Sequence, residues 1–595
     1  MPVWSSRWSA VINQRGFLSF LGILGGIEIC YFLSGYIFWY GHNVLSFWWS
    51  RQFSLFPSYY CTGFWVIPCL IVFAVLILEK FRNSSFIRDD KLIIGILFFA
   101  SFVNAFALWG IPEINPDSIL WNYQARYLAN HGILSFLLGF GKTIGFRSGL
   151  PLPTLIFGLA YKLLGVHRFA IQTVNSIFFS LIVVLVYLIG KEIFAKNVGF
   201  YSAILMLSSP FMVSQVPLTL IDVPTTFFVT LGIYQIVRMV KKPGMLSSTL
   251  GAVTVILASM CKLTALLFLL PFLVVFYAIV LLQSRHRFRV LRSIAFFSLV
   301  FAVFFSAFVL GFYAAIISRY PTVIGNSFAS ILFHPTILNA SYHTLAASIV
   351  KSLILSVTLP VFILSLVGLF IVLLRRDKLR FPSCLLMMIW IVVPTMYTLL
   401  PALYATARYA MPTYPAYTLL AATSLTAIKD KRLRRIALFS ILIFSIANTH
   451  YMYAYAWNQS SSRNLMAAAE YLQPRIAQGA TVTVCYDPMS AWMSIYAPPL
   501  YPTGNPNFNP RNLFSCVNPN STLPEYLVLV RGIAGNTSAY PTMSPQELQF
   551  LSTHYAKIAT FQGGDLEGPW IGITVEVYMA YTFTAEQSTR VPSGA

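Results

Sequence analysis

Charged residues are scarce in this chain, and acidic ones are the scarcest. Only 10% of the 595 residues are charged, and 18 are acidic. A soluble domain has about 25% charged and roughly 45–50% apolar residues, whereas 57% of this chain is hydrophobic. The composition excludes an ordinary soluble protein and indicates an integral membrane protein. A net charge of +22 would suggest nucleic acid in a soluble protein, but here we expect no such partner.

Several chemical motifs are also missing. The seven cysteines form no CxxC pair, and the eight histidines do not cluster at metal-ligand spacing, so we expect no cofactor. A divalent metal is possible, but no residue pattern supports it. No glycine-rich loop could cradle a nucleotide phosphate. Cys485 and Cys516 lie in a polar region and could either pair in an oxidising compartment or remain thiols.

Long apolar runs dominate what is present. A span needs about 20 apolar residues, and about thirteen such runs are found. The predicted spans are 17–40, 62–79, 92–111, 169–189, 198–216, 222–240, 247–262, 264–282, 292–317, 347–374, 383–401, 410–427 and 434–450. One apolar stretch over 247–282 would be about 54 Å long as a single helix, so it must turn near Lys262. The short apolar run 152–166 is predicted to be interfacial or re-entrant.

Basic clusters between the spans set the predicted orientation. With thirteen spans, all of these clusters fall on one side, which the positive-inside rule makes cytoplasmic. The clusters contain Arg7, Arg15, Lys80, Arg82, Arg88, Lys91, Lys191, Lys196, Arg238, Lys241, Lys242, Arg285, Arg287, Arg289, Arg292, Arg375, Arg376, Lys378, Arg380, Lys429, Lys431, Arg432, Arg434 and Arg435. The expected location is a plasma or inner membrane, with the N-terminus in the cytoplasm.

The chain divides into three predicted parts. Residues 1–91 form N-terminal spans and a cytoplasmic loop, and residues 92–453 form a transmembrane core whose first outer loop is 112–168. Residues 454–595 change in composition and contain alternating strands at 480–486, 525–530 and 573–581. Helices are predicted at 461–476 and after Ser544, where a capping box begins. We expect a small α/β domain on the outer face.

Two carboxylates lie at predicted outer ends of spans, where ionisable groups are costly and therefore candidates for function. Asp117 precedes an aromatic-rich helix that includes Trp121 and Tyr123. It could deprotonate an acceptor, or it could cap the helix. Asp222 precedes Pro224. It could be a second carboxylate that orients the acceptor or supports Asp117, or it could cap its helix.

Cations are predicted on the same side. Lys262 at its turn could bind the phosphate of a lipid carrier, or its side chain could reach the interface. Arg408 and Tyr409 lie between two spans and could bind phosphate or anchor the interface. Lys142 and Arg147 could add positive charge in the first outer loop, or could be solvated.

These residues, in this order, resemble membrane glycosyltransferases of the GT-C superfamily, most of all the branch of protein O-mannosyltransferases and lipid A aminoarabinose transferases. In the first outer loop, Asp117 stands eight residues before Ala125-Arg126, and Gly132 stands six after Arg126. The chain departs from the branch at Ser118, where a second acidic residue is usual, and at Trp121, where Tyr is common. Asp222 and Lys262 match later positions. The late element RYAMPTYP matches an RY-x-x-P-x-x-P pattern through Arg408, Tyr409, Pro412 and Pro415.

The resemblance implies an inverting transfer from a polyprenyl-phosphate sugar to an acceptor on the outer face, with the acceptor being a glycan, lipid or protein. It implies that Asp117 is the base, that Asp222 assists, and that Lys262, Arg408, Tyr409, Arg147 and Lys142 contact the lipid phosphate. Arg126, Trp121 and Tyr123 would lie on the acceptor or sugar side. A transporter or flippase of lipid-linked glycans, or a non-catalytic membrane scaffold, is the alternative.

Overall fold

The computed structural model describes part of the chain. The described residues are 90–109, 117–140, 151–262, 264–283, 287–308, 357–375, 380–399, 407–442, 445, 449, 461–485, 513–517, 523–532, 543–562 and 573–581. The predicted spans 17–40 and 62–79 lie outside these residues, as do Lys142 and Arg147.

Helices make up most of the described chain. They are α1 (Asp90–Phe106), α2 (Asp117–Gly139), α3 (Pro151–Leu164), α4 (Arg168–Ile193), α5 (Lys196–Leu207), α6 (Pro210–Gln215), α7 (Asp222–Lys241), α8 (Met245–Cys261), α9 (Ala265–Gln283), α10 (Arg287–Phe308), α11 (Leu359–Arg375), α12 (Arg380–Leu399), α13 (Tyr414–Ala427), α14 (Ser461–Ala477), α15 (Leu513–Cys516) and α16 (Pro545–His554). A 3-10 helix covers Ala407–Thr413, and residues 431–442 are also helical.

The helices differ in how much of their apolar surface the protein covers. By length and composition α4 and α10 could cross a membrane, and α3, α8, α9, α11 and α12 contain shorter apolar helices. Most of α4 is buried in the bundle, whereas α10 is largely exposed, with Leu299, Val303 and Phe304 on its surface. An exposed apolar face of this kind suits contact with lipid.

The two ends of the bundle differ chemically, and one of them contains a group of ion pairs. At one end Asp90 at the start of α1 meets Lys191 near the end of α4 and Lys196 at the start of α5. Lys241 at the end of α7 pairs with Glu192 at this same end. Residues from three predicted cytoplasmic loops therefore gather at one end, as the pattern of basic clusters requires.

The predicted span 198–216 is wrong in one respect, because two helices occupy it. Helix α5 ends at Leu207, and α6 begins at Pro210. Proline has no backbone N–H and cannot continue a helix without losing a hydrogen bond. Helix α5 packs tightly against α4, where a Cβ on Gly199 would collide with the Tyr187 carbonyl oxygen.

The turn that helix length predicted within 247–282 is present. Helix α8 ends at Cys261, and Lys262 follows it with extended backbone angles, φ −158° and ψ 127°. Helix α9 then begins at Ala265. Because α7 and α8 are consecutive and antiparallel, the turn places Lys262 at the same end of the bundle as the start of α7.

Helices α2 and α3 form a pair next to the bundle. Gly132 interrupts α2 with φ +83°, a conformation that glycine adopts without steric cost. Helix α3, predicted as an interfacial or re-entrant helix over 152–166, packs its buried Phe157 and Tyr161 against α2. Gly158 allows the close approach, since a Cβ there would collide with Leu128.

The last described part contains a four-stranded sheet in the order β1-β2-β4-β3. The strands are β1 (Val482–Cys485), β2 (Tyr526–Gly532), β3 (Tyr555–Gln562) and β4 (Ile573–Ala580). Strand β2 pairs parallel with β1 and antiparallel with β4, and β4 also pairs antiparallel with β3. Residues of α14 pack on one face, and Leu513 and Leu551 pack on the other.

This sheet contains all three predicted strands and one that was missed, β3. The predicted helix over 461–476 corresponds to α14, and Ser544 and Glu547 form the predicted capping box at α16. Helix α15, which ends at Cys516, packs beside β1, which ends at Cys485. The pairing of these two cysteines and the outer-face location of the domain stay predictions.

Candidate functional site

A buried ion pair joins two of the predicted site residues. The Asp222 Oδ1 and Lys262 Nζ atoms lie 3.6 Å apart, and the side chains are 7% and 15% exposed, respectively. The N-cap of α7 is Ile221, without a side-chain capping bond, so the capping interpretation of Asp222 is not observed. The low exposure of Lys262 also argues against an interfacial side chain.

The same lysine lies over an aromatic ring. Its Nζ is 4.0 Å from the centroid of the Tyr409 ring, a distance at which a cation is attracted to the ring face. The Arg408 guanidinium carbon is 5.0 Å from the same centroid, and Arg408 donates a hydrogen bond of 3.2 Å to the Tyr409 hydroxyl oxygen. Arg408 is 8% exposed, which places it inside the protein rather than at an interface.

Local sequence explains how the segment with Arg408 and Tyr409 is held. It is a 3-10 helix that contains Pro412, and Pro415 lies in the first turn of α13, where a missing N–H costs nothing. The buried Trp390 of α12 donates its indole N–H to the Pro412 carbonyl oxygen at 2.8 Å. The segment is thus fixed to a neighbouring helix.

This group of four residues contains two cations, Lys262 and Arg408, and one carboxylate, Asp222. Lys and Arg side chains bind phosphate strongly, so the group is chemically suited to a phosphate.

The predicted residues of the first outer loop lie on α2. Asp117 is its first residue, but the described contacts do not include its side chain. Trp121 is buried in the main core, and Tyr123 is partly buried. Burial lowers the pKa of Arg126 below its usual value, an effect opposed by Tyr161. The Tyr161 hydroxyl donates to Asn122 Oδ1 at 2.5 Å, which joins α3 to α2.

The structure thus brings together Asp222, Lys262, Arg408 and Tyr409, from three separate parts of the chain. Three residues near them were missed. The sequence analysis treated Gln172 and Asn175 only as part of an apolar span. Two polar amides within an apolar run are nevertheless a signal of function that the sequence contains. Trp390 had no such signal, because its partner is a distant backbone carbonyl.

No group of three or more His, Cys, Asp or Glu side chains that could hold a metal is present within the described ranges. The carboxylate of Asp222 faces a lysine there, an arrangement that does not favour a cation.

Comparison with known proteins gives one family match. Residues 148–311 match the family model of dolichyl-phosphate-mannose-protein mannosyltransferase. The match includes Asp222 and Lys262 and excludes Asp117, Arg408 and Tyr409. No curated protein matches the sequence.

Two solved structures are similar in fold. ArnT from Cupriavidus metallidurans in the apo state is 14% identical, with a TM-score of 0.52 over 82% of this chain and 98% of that chain. The same protein bound to undecaprenyl phosphate is 12% identical, with a TM-score of 0.50 and the same coverage. At this identity the likeness shows the fold alone, which is that of a polytopic helical membrane protein.

The resemblance inferred from the sequence is therefore confirmed. The chain is similar to GT-C glycosyltransferases of the O-mannosyltransferase and aminoarabinose transferase branch, through the family match over 148–311 and through its fold.

Proposed function

We propose that this chain is an inverting glycosyltransferase that moves a sugar from a polyprenyl-phosphate carrier to an acceptor on the outer face of the membrane. One observation carries the proposal: Asp222, Lys262, Arg408 and Tyr409 converge at one end of an apolar bundle. The family match supports the reaction class, and the fold similarity to an enzyme solved with undecaprenyl phosphate supports the carrier class.

Lys262 and Arg408 stabilise the departing phosphate in this proposal. When the bond between the anomeric carbon and the phosphate oxygen breaks, negative charge grows on that oxygen. Preorganised cations at such a position lower the barrier because they need no reorganisation during the reaction. The Tyr409 ring contacts both cations, and Lys142 and Arg147 of the first outer loop add positive charge.

Asp117 acts as the base. The acceptor oxygen or nitrogen attacks the anomeric carbon on the face opposite the phosphate, which inverts the configuration. The acceptor proton passes to the Asp117 carboxylate, and the electron pair of the broken bond leaves on the polyprenyl phosphate. Three residues that follow Asp117 on α2 lie on the sugar or acceptor side of the site: Trp121, Tyr123 and Arg126.

Asp222 has a supporting role. Its carboxylate lies 3.6 Å from Lys262, so it orients the ammonium group and limits the cost of burying it. With a phosphate present, Lys262 would lie between two anions, and Arg408 would supply the second positive charge. Asp222 also remains available to orient the acceptor.

The membrane arrangement follows from the same proposal. About thirteen spans place the basic clusters in the cytoplasm. The site, the first outer loop and the C-terminal α/β domain then lie outside, where the domain screens or binds the acceptor. The partners are the bilayer, the lipid-linked donor and an acceptor that is a glycan, lipid or protein.

The test is transfer by the purified protein from a panel of polyprenyl-phosphate sugars. We expect the wild-type protein to release polyprenyl phosphate from one of them and Asp117→Asn to lose at least about 100-fold in rate. Donor binding by Asp117→Asn should be retained, since the phosphate contacts are unchanged.

Asp430→Asn is a matched control. Asp430 accepts the backbone N–H of Arg432 at the start of helix 431–442, and Asn serves nearly as well as Asp at a helix N-cap. This variant should transfer at the wild-type rate. Transfer by Asp117→Asn at the wild-type rate would refute the base assignment, and movement of an intact lipid-linked glycan would favour the flippase.

A further inference from the structure

Three polar side chains lie along one face of α4. Arg168, Gln172 and Asn175 are spaced four and three residues apart, which puts them on the same side of a helix. Their partners are backbone carbonyls in two other segments, one after α1 and one before α7. Gln172 is 4% exposed and Asn175 is fully buried.

The two amides make the close contacts. Gln172 Nε2 donates to the Trp109 carbonyl oxygen at 2.8 Å and to the Pro217 carbonyl oxygen at 3.3 Å. Asn175 Nδ2 donates to the Leu218 carbonyl oxygen at 2.9 Å. Arg168 reaches the carbonyls of Trp109 and Pro217 at 3.5 and 3.4 Å, which is long for a hydrogen bond. A single amide group of Gln172 therefore bridges the two segments.

These segments lead to the two candidate carboxylates. Trp109 stands eight residues before Asp117, and Leu218 stands four before Asp222. The Trp109 indole also donates to Ser176 at 3.0 Å, which adds a second link from α4. Backbone carbonyls outside regular structure need donors when buried, and α4 supplies them here.

We infer that Gln172 and Asn175 are positioning residues that align the segments bearing Asp117 and Asp222. This inference rests on the proposed function, because it assumes that both carboxylates serve the reaction. Neither amide touches substrate. A displacement of about 1 Å at a reacting group can reduce a rate about 100-fold. Buried hydrogen bonds that hold both segments in place would therefore be needed for fast transfer.

The test is Gln172→Met, which keeps the length of the side chain and removes its donors. We expect the turnover number to fall about 10- to 100-fold, with the KM for the polyprenyl-phosphate donor changed by less than about threefold. In an Asp222→Asn background the same substitution should cause less than its full loss, since part of its effect acts through the segment that bears Asp222. Amide exchange over 217–223 should become faster in Gln172→Met.

Ser248→Ala is the matched control. It removes a buried bond from the Ser248 hydroxyl to the Ser293 carbonyl oxygen, 3.0 Å long, between α8 and α10. It should change thermal stability by a similar amount and leave the turnover number and exchange over 217–223 unchanged. A Gln172→Met protein with wild-type turnover, unchanged exchange over 217–223, or losses that multiply fully with those of Asp222→Asn would overturn the inference.

Failure of the positioning role of Gln172 and Asn175 is distinguishable from failure of the proposed function. If Gln172→Met has wild-type turnover while Asp117→Asn is inactive, the positioning role is wrong and the proposed transferase activity is retained. If the wild-type protein transfers from no polyprenyl-phosphate sugar, the proposed function is wrong. Unaltered amide exchange over 217–223 in Gln172→Met would separately overturn the positioning role.

Discussion

Two clusters of carboxylate and lysine lie at opposite ends of the same bundle, and they differ in how completely the carboxylate is satisfied. Asp90 receives hydrogen bonds from Tyr187 at 2.7 Å and from Lys191, and Lys196 lies 2.9 Å away. Asp222 has Lys262 at 3.6 Å, and its carboxylate accepts no hydrogen bond within the part of the chain that the structure describes. The Asp222 side chain is also the more buried.

The difference separates a structural ion cluster from a site. A saturated, partly exposed cluster such as that of Asp90 joins helix ends and offers little to a ligand. A buried pair with a loose contact costs stability unless something else binds there. Groups that deviate in this way from the best packing are typical of functional sites.

The largest effect is expected from removing the lysine of each cluster. Lys262→Met should lower transfer by about 100-fold or more, because the charge that stabilises the departing phosphate is lost. Lys191→Met at the other end should leave the rate within about twofold, since Lys196 still pairs with Asp90. Initial rates at saturating donor would measure both.

Lys262→Met leaves Asp222 as a buried charge and could destabilise the protein. The double variant Lys262→Met with Asp222→Asn removes both charges and should recover stability without recovering transfer. Equal rate losses from the lysine variants at the two ends would remove the distinction between the clusters.

A smaller effect is expected at the aromatic ring that only the buried cluster contains. Tyr409→Leu removes the ring beneath Lys262, and a cation–π contact contributes roughly 0.5–2 kcal/mol, so we expect weaker binding of undecaprenyl phosphate by about 2- to 30-fold. Tyr409→Phe keeps the ring and loses the hydroxyl that accepts from Arg408, and should lose less than about fivefold. Titration with the lipid phosphate compares them, and equal losses would argue against a role for the ring.

Sequence reasoning reached the site residues because each is a charged or polar exception in an apolar chain. It found the turn at Lys262 from helix length and found Arg408 and Tyr409 from their place between spans. It could not predict that Lys262 lies over the Tyr409 ring, since that depends on long-range packing. Strand β3 was missed because it follows α16 directly, without a turn signal between them.

The break within 198–216 had a visible cause in Pro210, yet the apolar run continued across it and hid the two helices. Gln172 and Asn175 were likewise hidden inside a strongly apolar segment. Hydrophobicity thus located the apolar helices among the described residues, whereas the polar residues that fix their ends needed tertiary information.

The smallest effect on transfer is expected from Asp90→Asn, which should instead change stability. Burial raises the pKa of Asp90, but the bonds from Lys191, Lys196 and Tyr187 outweigh it and hold that pKa well below its ordinary value. Asp90 lies two residues before the predicted span 92–111. The folded pKa is depressed, so the stabilisation is present above the unfolded pKa of about 3.9 and is lost as the pH falls below it.

Asp90→Asn should therefore lower the free energy of unfolding by about 1 kcal/mol at pH 7, a value limited by the partial exposure of the cluster. Its melting temperature should also depend less on pH between about 5 and 3 than that of the wild-type protein. Thermal unfolding across that range measures this, with transfer at pH 7 as the second readout. A wild-type pH dependence in Asp90→Asn would show that other carboxylates govern acid stability, and a loss of transfer as large as that of Lys262→Met would mean that the two ends of the bundle do not have the separate roles inferred from their geometry.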